Sequence, residues 1–180
     1  KANDVKPIIG CEVYVAPGSR FDKVLDKSVK YNHLILLAKN MQGYRNLCKL
    51  VSSGFTDGYY YKPRIDKEIL EKYHDGLICL SACLGGEVPA HFLNGQDELA
   101  KNSALWFKNL FGEDYYLEVQ ANTMKEQYLV NQKLFKLSKE IGVPLVATND
   151  SHYLKKEDAY NHEVLLCIQT GKRMSDPDRM

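Results

Sequence analysis

Residues Thr123 to Thr148 read TMKEQYLVNQKLFKLSKEIGVPLVAT, and this stretch decides the fold class. Val130, Leu134, Leu137 and Ile141 recur at helical spacing, so one face of a helix is apolar. Thr123-Met124-Lys125-Glu126 fits a capping box, in which hydroxyl and carboxylate satisfy free amide donors reciprocally. Gly142 and Pro144 end the helix, and Leu145 to Thr148 follows as a buried strand. Tyr115 to Val119 supplies a strand on the other side.

Working outward, the same alternation continues. Residues 96–111 form a helix with Leu99, Ser103, Trp106 and Leu110 on one face and Ala100, Ala104, Phe107 and Phe111 beside it. Leu77 to Ser81 is another strand, preceded by a short helix from about Asp66 to Tyr73. An aromatic loop (Phe55, Tyr59, Tyr60, Tyr61) leads into that helix past Pro63. Asn40 caps an earlier helix whose apolar positions are Tyr44, Leu47, Cys48 and Val51, ending at Gly54. Nearer the start, Ile8 to Val15 and His33 to Ala38 are β-branched or aliphatic strands. Residues 16–31 show no helical stripe, so these two strands pair antiparallel rather than through a crossover. A last helix runs from about Lys156 to Ile168. About five strands and four or more helices in alternation make an α/β layered sheet or barrel. No linker or repeat divides the 180 residues, and one domain or most of one is expected.

Composition narrows the function. Hydrophobic residues are 44% and charged residues 26%, which excludes a disordered tail or a coiled-coil rod. No apolar run is long enough to cross a membrane. The 24 basic and 23 acidic residues leave a net charge of +1, so no broad basic face for gripping a duplex is implied. Five cysteines without a Cys-x-x-Cys pair argue against a disulfide scaffold or zinc ribbon and fit a reducing cytoplasm. Cys11, Cys48, Cys79 and Cys167 read as small core residues. The opening at Lys1, without Met or an export signal, and the abrupt close at Met180 suggest a piece of a longer protein.

Several residues carry chemistry. Glu12 stands inside an apolar strand: either the pleat turns it to solvent, or it is a metal ligand. His33 opens the next strand, as a surface histidine or as a neighbour of Glu12 across an antiparallel pair. Asp150 and His152 follow a strand directly, at the edge where α/β barrels build active sites. An oxygen and a nitrogen two residues apart suit Zn²⁺ or Mn²⁺, whereas a helix cap at Asp150 is the plainer alternative. Cys83 lies past a strand, beside Gly85-Gly86, which lacks the Lys-Ser/Thr of a phosphate-binding P-loop. His162 serves packing or supports a site. Lys62 and Arg64 flank Pro63 in a loop, either solvated or meeting a phosphate. No nucleophile elbow or zinc-deaminase pattern occurs.

Seven segments stand in one order: Lys6 to Val15, Asn32-His33-Leu34, Gly43-Tyr44-Arg45-Asn46-Leu47, Lys62-Pro63-Arg64-Ile65-Asp66, Leu80 to Val88, Ala147 to Tyr153, and Leu165 to Lys172. Together they resemble the PHP (polymerase and histidinol phosphatase) domain in the form carried by bacterial DNA polymerase III alpha subunits. The resemblance implies a distorted (β/α)7 barrel, incomplete at its N-terminal end, because the family's opening His-x-His segment is not in this sequence. It implies a domain over 1–180, with about 168–180 leading toward the polymerase palm.

The same resemblance implies metal ligands at Glu12, His33, Cys83, Asp150 and His152, the last two also catalytic, for divalent ions such as zinc or manganese. It implies metal-assisted 3′–5′ proofreading within a DNA-directed DNA polymerase whose magnesium site lies outside this segment. DNA and other polymerase III holoenzyme subunits are the implied partners, in a bacterial cytoplasm, with no membrane. A scaffold module without turnover and a free-standing phosphatase are the alternatives. With its upstream ligands missing, the segment alone is expected to be inactive.

Overall fold

The computed structural model describes residues 3–23 and 31–179. Part of the irregular stretch read over 16–31, residues 24–30, therefore lies outside the described residues. The chain divides into two compact units, residues 1–148 and 149–180.

Among the described residues the first unit holds six strands and five α-helices. The strands are β1 (Gly10–Val15), β2 (Asn32–Ala38), β3 (Arg64–Ile65), β4 (Leu77–Leu80), β5 (Tyr115–Gln120) and β6 (Leu145–Thr148). The helices are α1 (Met41–Thr56), α2 (Lys67–Tyr73), α3 (Glu87–Leu93), α4 (Asp97–Phe111) and α5 (Lys125–Ile141). One mixed sheet runs β3-β1-β2-β4-β5-β6. β2 is antiparallel to both β1 and β4, while β1–β3, β4–β5 and β5–β6 are parallel. The antiparallel start follows the absence of a helical stripe between β1 and β2.

Register sorts the side chains into two faces. Val13 and Val15, Leu34 and Leu36, Cys79, Tyr115 and Leu117 point to one side and are buried in the core with residues of α1, α4 and α5. Glu12, Tyr14 and His33 stand on the other side. Because β2 runs against its neighbours, its first residues share an edge of the sheet with the C-terminal ends of β4, β5 and β6. That arrangement positions the candidate site.

Five local expectations change. Arg64 is a strand residue rather than a loop residue: β3 pairs with β1, and Pro63 ends the turn before it. Phe55 belongs to α1, which runs on to Thr56. No capping box forms at Thr123; Asn122 Oδ1 accepts from Met124 N at 3.0 Å, and the helix starts at Lys125 without a side-chain cap. β6 is a half-exposed edge strand, because among the described residues nothing pairs beyond it in the sheet. Finally, α1 buries Gly43, Asn46, Leu47, Leu50, Ser53 and Gly54, leaving Tyr44 and Cys48 exposed. The buried stripe is rotated toward the two glycines, where the helix approaches backbone.

The cysteines follow. Cys79 and Cys167 are buried, Cys11 is half-buried and Cys48 is exposed, so Cys48 is not a core residue. Burial pushes the Cys79 thiol well above its ordinary pKa, and burial followed by the Glu12 charge raises that of Cys11. Iodoacetamide at mildly alkaline pH is therefore expected to label Cys48 first and Cys79 only on unfolding. Mass spectrometry of the labelled peptides checks the order; early labelling of Cys79 would contradict the core.

The second unit holds a 3₁₀ turn, Lys156–Asp158, and α6, Ala159–Thr170, which ends at Gly171 in the left-handed conformation. Among the described residues of both units, no helix is long and apolar enough to cross a membrane.

Candidate functional site

Three of the expected residues meet in the first unit. Tyr14 faces His33 across the β1–β2 pair, and Glu12 is two residues along the same face, diagonal to the ring. Glu12 Oε1 lies 3.1 Å from His33 Nδ1. Cys83 Sγ lies 3.5 Å from the same nitrogen. Both side chains of the Glu12–His33 pair remain partly accessible, at 38% and 27%, so the ring is reachable from solvent.

The loop after β4 is shaped to make that contact. Ala82 is buried with φ +64, a left-handed conformation that a side chain adopts at a cost of order 1–3 kcal/mol. The turn swings Cys83 toward β2. Gly85 then lies directly on the imidazole: a Cβ there would sit 3.0 Å from Nδ1, and Gly85 O accepts from His33 N at 2.8 Å. Glycine lets the backbone approach the ring this closely. Tyr31 stacks parallel to the His33 ring at 6.0 Å, and Tyr14 meets it edge-on at 5.4 Å.

The phosphate candidates separate. Lys62 Nζ stands 5.5 Å from the centre of the Tyr14 ring, on the site's side of the molecule. Arg64 is 3% exposed, and its guanidinium donates to the carbonyls of Gly58 at 3.2 Å and Asp22 at 2.7 Å. Those bonds use Arg64 to hold the preceding loops, away from any solvent-borne phosphate.

Asp150 and His152 lie in the second unit. Asp150 takes φ +48, and His152 Nδ1 approaches the Asp150 carbonyl at 2.7 Å. His162 comes up from α6, its ring 5.8 Å from that of His152 and 5.3 Å from that of Tyr153. The unit thus gathers Asp150, His152 and His162.

One carboxylate escapes the sequence reading. Glu118 in β5 is 5% exposed. Its Oε1 accepts from Gln120 Nε2 at 3.1 Å and from the Thr148 hydroxyl, and its backbone N–H donates to Ser81 Oγ at 2.8 Å. The signal was present, since Glu118 interrupts an apolar strand as Glu12 does.

The fold is an α/β domain with one mixed six-strand sheet, and residues 1–122 match the PHP domain family, to which the chain belongs. Over its whole length it is 52% identical to the DNA polymerase III subunit alpha of Borreliella burgdorferi. It is 47% identical over 98% of its length to that of Deinococcus radiodurans and over 99% to that of Treponema pallidum. The chain spans only 16%, 14% and 16% of those relatives, respectively.

PHP domains are often metal-dependent. Among the described residues, no three His, Cys, Asp or Glu side chains stand in an arrangement that could hold a metal ion. The donor chemistry nevertheless fits such an ion. A carboxylate, an imidazole and a thiol converge in one partly accessible place, and the buried Glu118 Oε2 has no hydrogen-bond partner.

Proposed function

We propose that this chain is the metal-dependent phosphodiesterase segment of a DNA polymerase III alpha subunit, hydrolysing a DNA strand from its 3′ end as a proofreading step. The observation that supports this best is the convergence of Glu12, His33 and Cys83 on one edge from three separate parts of the chain. In this reading residues 1–180 belong to one PHP domain of the distorted (β/α)7 barrel type, with about 168–180 leading toward the palm. Glu12, His33 and Cys83 in the first unit, and Asp150 and His152 in the second, are the residues that would ligate zinc or manganese. Such an ion, when bound, would supply a water of lowered pKa and charge stabilisation on the leaving oxygen.

The chain's own residues do the rest. Glu12 and Cys83 fix the orientation of the His33 ring from its Nδ1 side, and Gly85 holds the adjoining backbone. His162 orients His152, and Lys62 meets a backbone phosphate. The remaining holoenzyme subunits are the partners, and the magnesium-dependent polymerase site belongs to another part of the protein.

Asp150→Asn and His152→Ala in the intact protein test the reading. Exonuclease activity is expected to fall by at least about 100-fold, the scale of losing one charge-stabilising group. Primer extension should be largely retained. The isolated chain should show little or no nuclease activity. Exonuclease activity unchanged by either substitution counts against the proposal, and loss of primer extension in step with unfolding points to a scaffold role.

A further inference from the structure

Aromatic rings contribute most when buried, so a cluster of them left in solvent on a fixed loop calls for a reason. Across the end of α1 and the loop before β3, Phe55 is 59% exposed, Tyr59 55% and Tyr61 69%. The loop is held from several sides. Lys23 Nζ donates to the carbonyls of Asp57 at 3.0 Å and Tyr59 at 2.9 Å, and Arg64 Nε donates to that of Gly58 at 3.2 Å. Gly58 leaves no room for a side chain, since a Cβ would sit 1.7 Å from the Arg64 carbonyl oxygen. Tyr61 stands at the tip with φ +60, in a turn closed by Tyr60 N donating to Lys62 O at 3.0 Å.

The rings are set against one another. Phe55 and Tyr59 lie 6.5 Å apart and within 25° of parallel, while Tyr61 meets Tyr60 edge-on at 4.7 Å. Tyr60 in turn lies 5.1 Å from the Arg64 guanidinium, which supports the tip from below. Next in the chain, Lys62 Nζ stands 5.5 Å from the Tyr14 ring, which is 4.5 Å from that of Tyr31 and 5.4 Å from that of His33. A row of rings, broken by one ammonium group, therefore runs from the loop to the imidazole of the candidate site. Fixed π faces interleaved with positive charge hold unpaired bases and the phosphates between them. A duplex hides its base faces and is gripped through many phosphates, which a net charge of +1 does not favour. An unpaired strand is the form that fits.

We infer that Tyr59 and Tyr61 stack on the bases of an unpaired DNA strand and lead its end past Lys62 and Tyr14 toward His33. The inference rests on the phosphodiesterase reading above and specifies its substrate as a strand already separated from its template. Every base has a π face, so the platform accepts any sequence. Its rings are already ordered, which lowers the entropy cost of binding.

Fluorescence anisotropy of a labelled oligodeoxythymidylate with the purified chain, in EDTA so that no strand is cut, tests this. Tyr59→Ala and Tyr61→Ala are each expected to weaken binding at least about fivefold, the lower end of what one stacked base contributes. Tyr61→Phe keeps the ring and should bind within about twofold of the unmodified chain. Tyr128→Ala should do the same, since that tyrosine is 65% exposed but lies on α5. Lys62→Ala should reduce the slope of log affinity against log salt by about 0.7, the share of one phosphate on a single strand. The tyrosine variants should leave that slope unchanged, which separates stacking from charge. Affinity within twofold of the unmodified chain for either alanine variant of Tyr59 or Tyr61 overturns the stacking role, as does a duplex that binds as tightly as the single strand. Absence of binding by the unmodified chain overturns the strand path and leaves the metal-dependent reading to the Asp150 and His152 variants.

Discussion

Gly43→Ala is expected to destabilise the first unit by at least about 3 kcal/mol, at the upper end of what overpacking costs. In an ordinary helix the same change stabilises by about 1 kcal/mol. Here α1 lies against the turn that precedes β4. A Cβ on Gly43 would sit 1.8 Å from the Gly76 carbonyl oxygen and 2.5 Å from its carbon. Neither atom can yield, because both belong to backbone. Gly76 is itself held at φ +73, with Gly76 O accepting from Lys39 N at 2.9 Å. The helix must therefore lift off, taking Leu47 and Leu50 out of the core. Gly54→Ala is the internal comparison, since its Cβ would find ordinary contact 3.4 Å from Pro63. It should stay within about 1 kcal/mol of the unmodified chain. Urea unfolding of the two variants measures the difference; equal stabilities would refute the close approach of α1 to Gly76.

Asp66→Ala should cost about 4 kcal/mol, the scale of breaking a buried ion pair by removing one partner. Asp66 is 2% exposed and serves two structures at once. Its carboxylate caps α2 by accepting from Ile69 N at 3.0 Å. It also accepts from Arg20 Nη1 at 2.9 Å and from Arg20 N at 2.7 Å. Without it, the buried Arg20 guanidinium keeps the 3.5 Å contact with the exposed Glu68 and its place 4.3 Å from the centre of the Phe21 ring, and no other carboxylate among the described residues pairs with it. Asp66→Asn retains a capping oxygen but not the charge, so most of the loss should persist. Arg20→Met should then recover part of it, because the unpaired cation is gone. Denaturant unfolding of the two single variants and the double variant gives the coupling; a loss under about 1 kcal/mol for Asp66→Asn would show that the pair contributes little.

How much of this was legible beforehand follows the range of the interactions. Asn40 and Asp66 are recognisable as helix starts because a capping side chain reaches only three residues, and both caps are present, on Gly43 N and Ile69 N. Thr123 has the right residue type but makes no such cap: the helix starts at Lys125 with Met124 at its N-cap, and Asn122 Oδ1 accepts from Met124 N instead. Helix α3 went unread because seven residues holding Pro89 show too few turns for a periodic signal. Glu12 and His33 were placed together by one topological step, the antiparallel pairing of consecutive strands.

By itself, then, the sequence determined what local chemistry can determine: the alternation of strands and helices, the Asn40 cap, the start of α2 near Asp66, the antiparallel start and the residue types at the candidate site. The tertiary structure alone decided which stripe of α1 is buried, because that depends on Gly43 fitting against a turn more than thirty residues away. It alone paired Arg20 with Asp66, turned Cys83 onto His33 through the left-handed Ala82, and left one oxygen of Glu118 without a partner. Hydrophobic periodicity reports the average side of an element that faces the core. Contacts between distant segments depend on which atoms meet there, and only the assembled chain defines that.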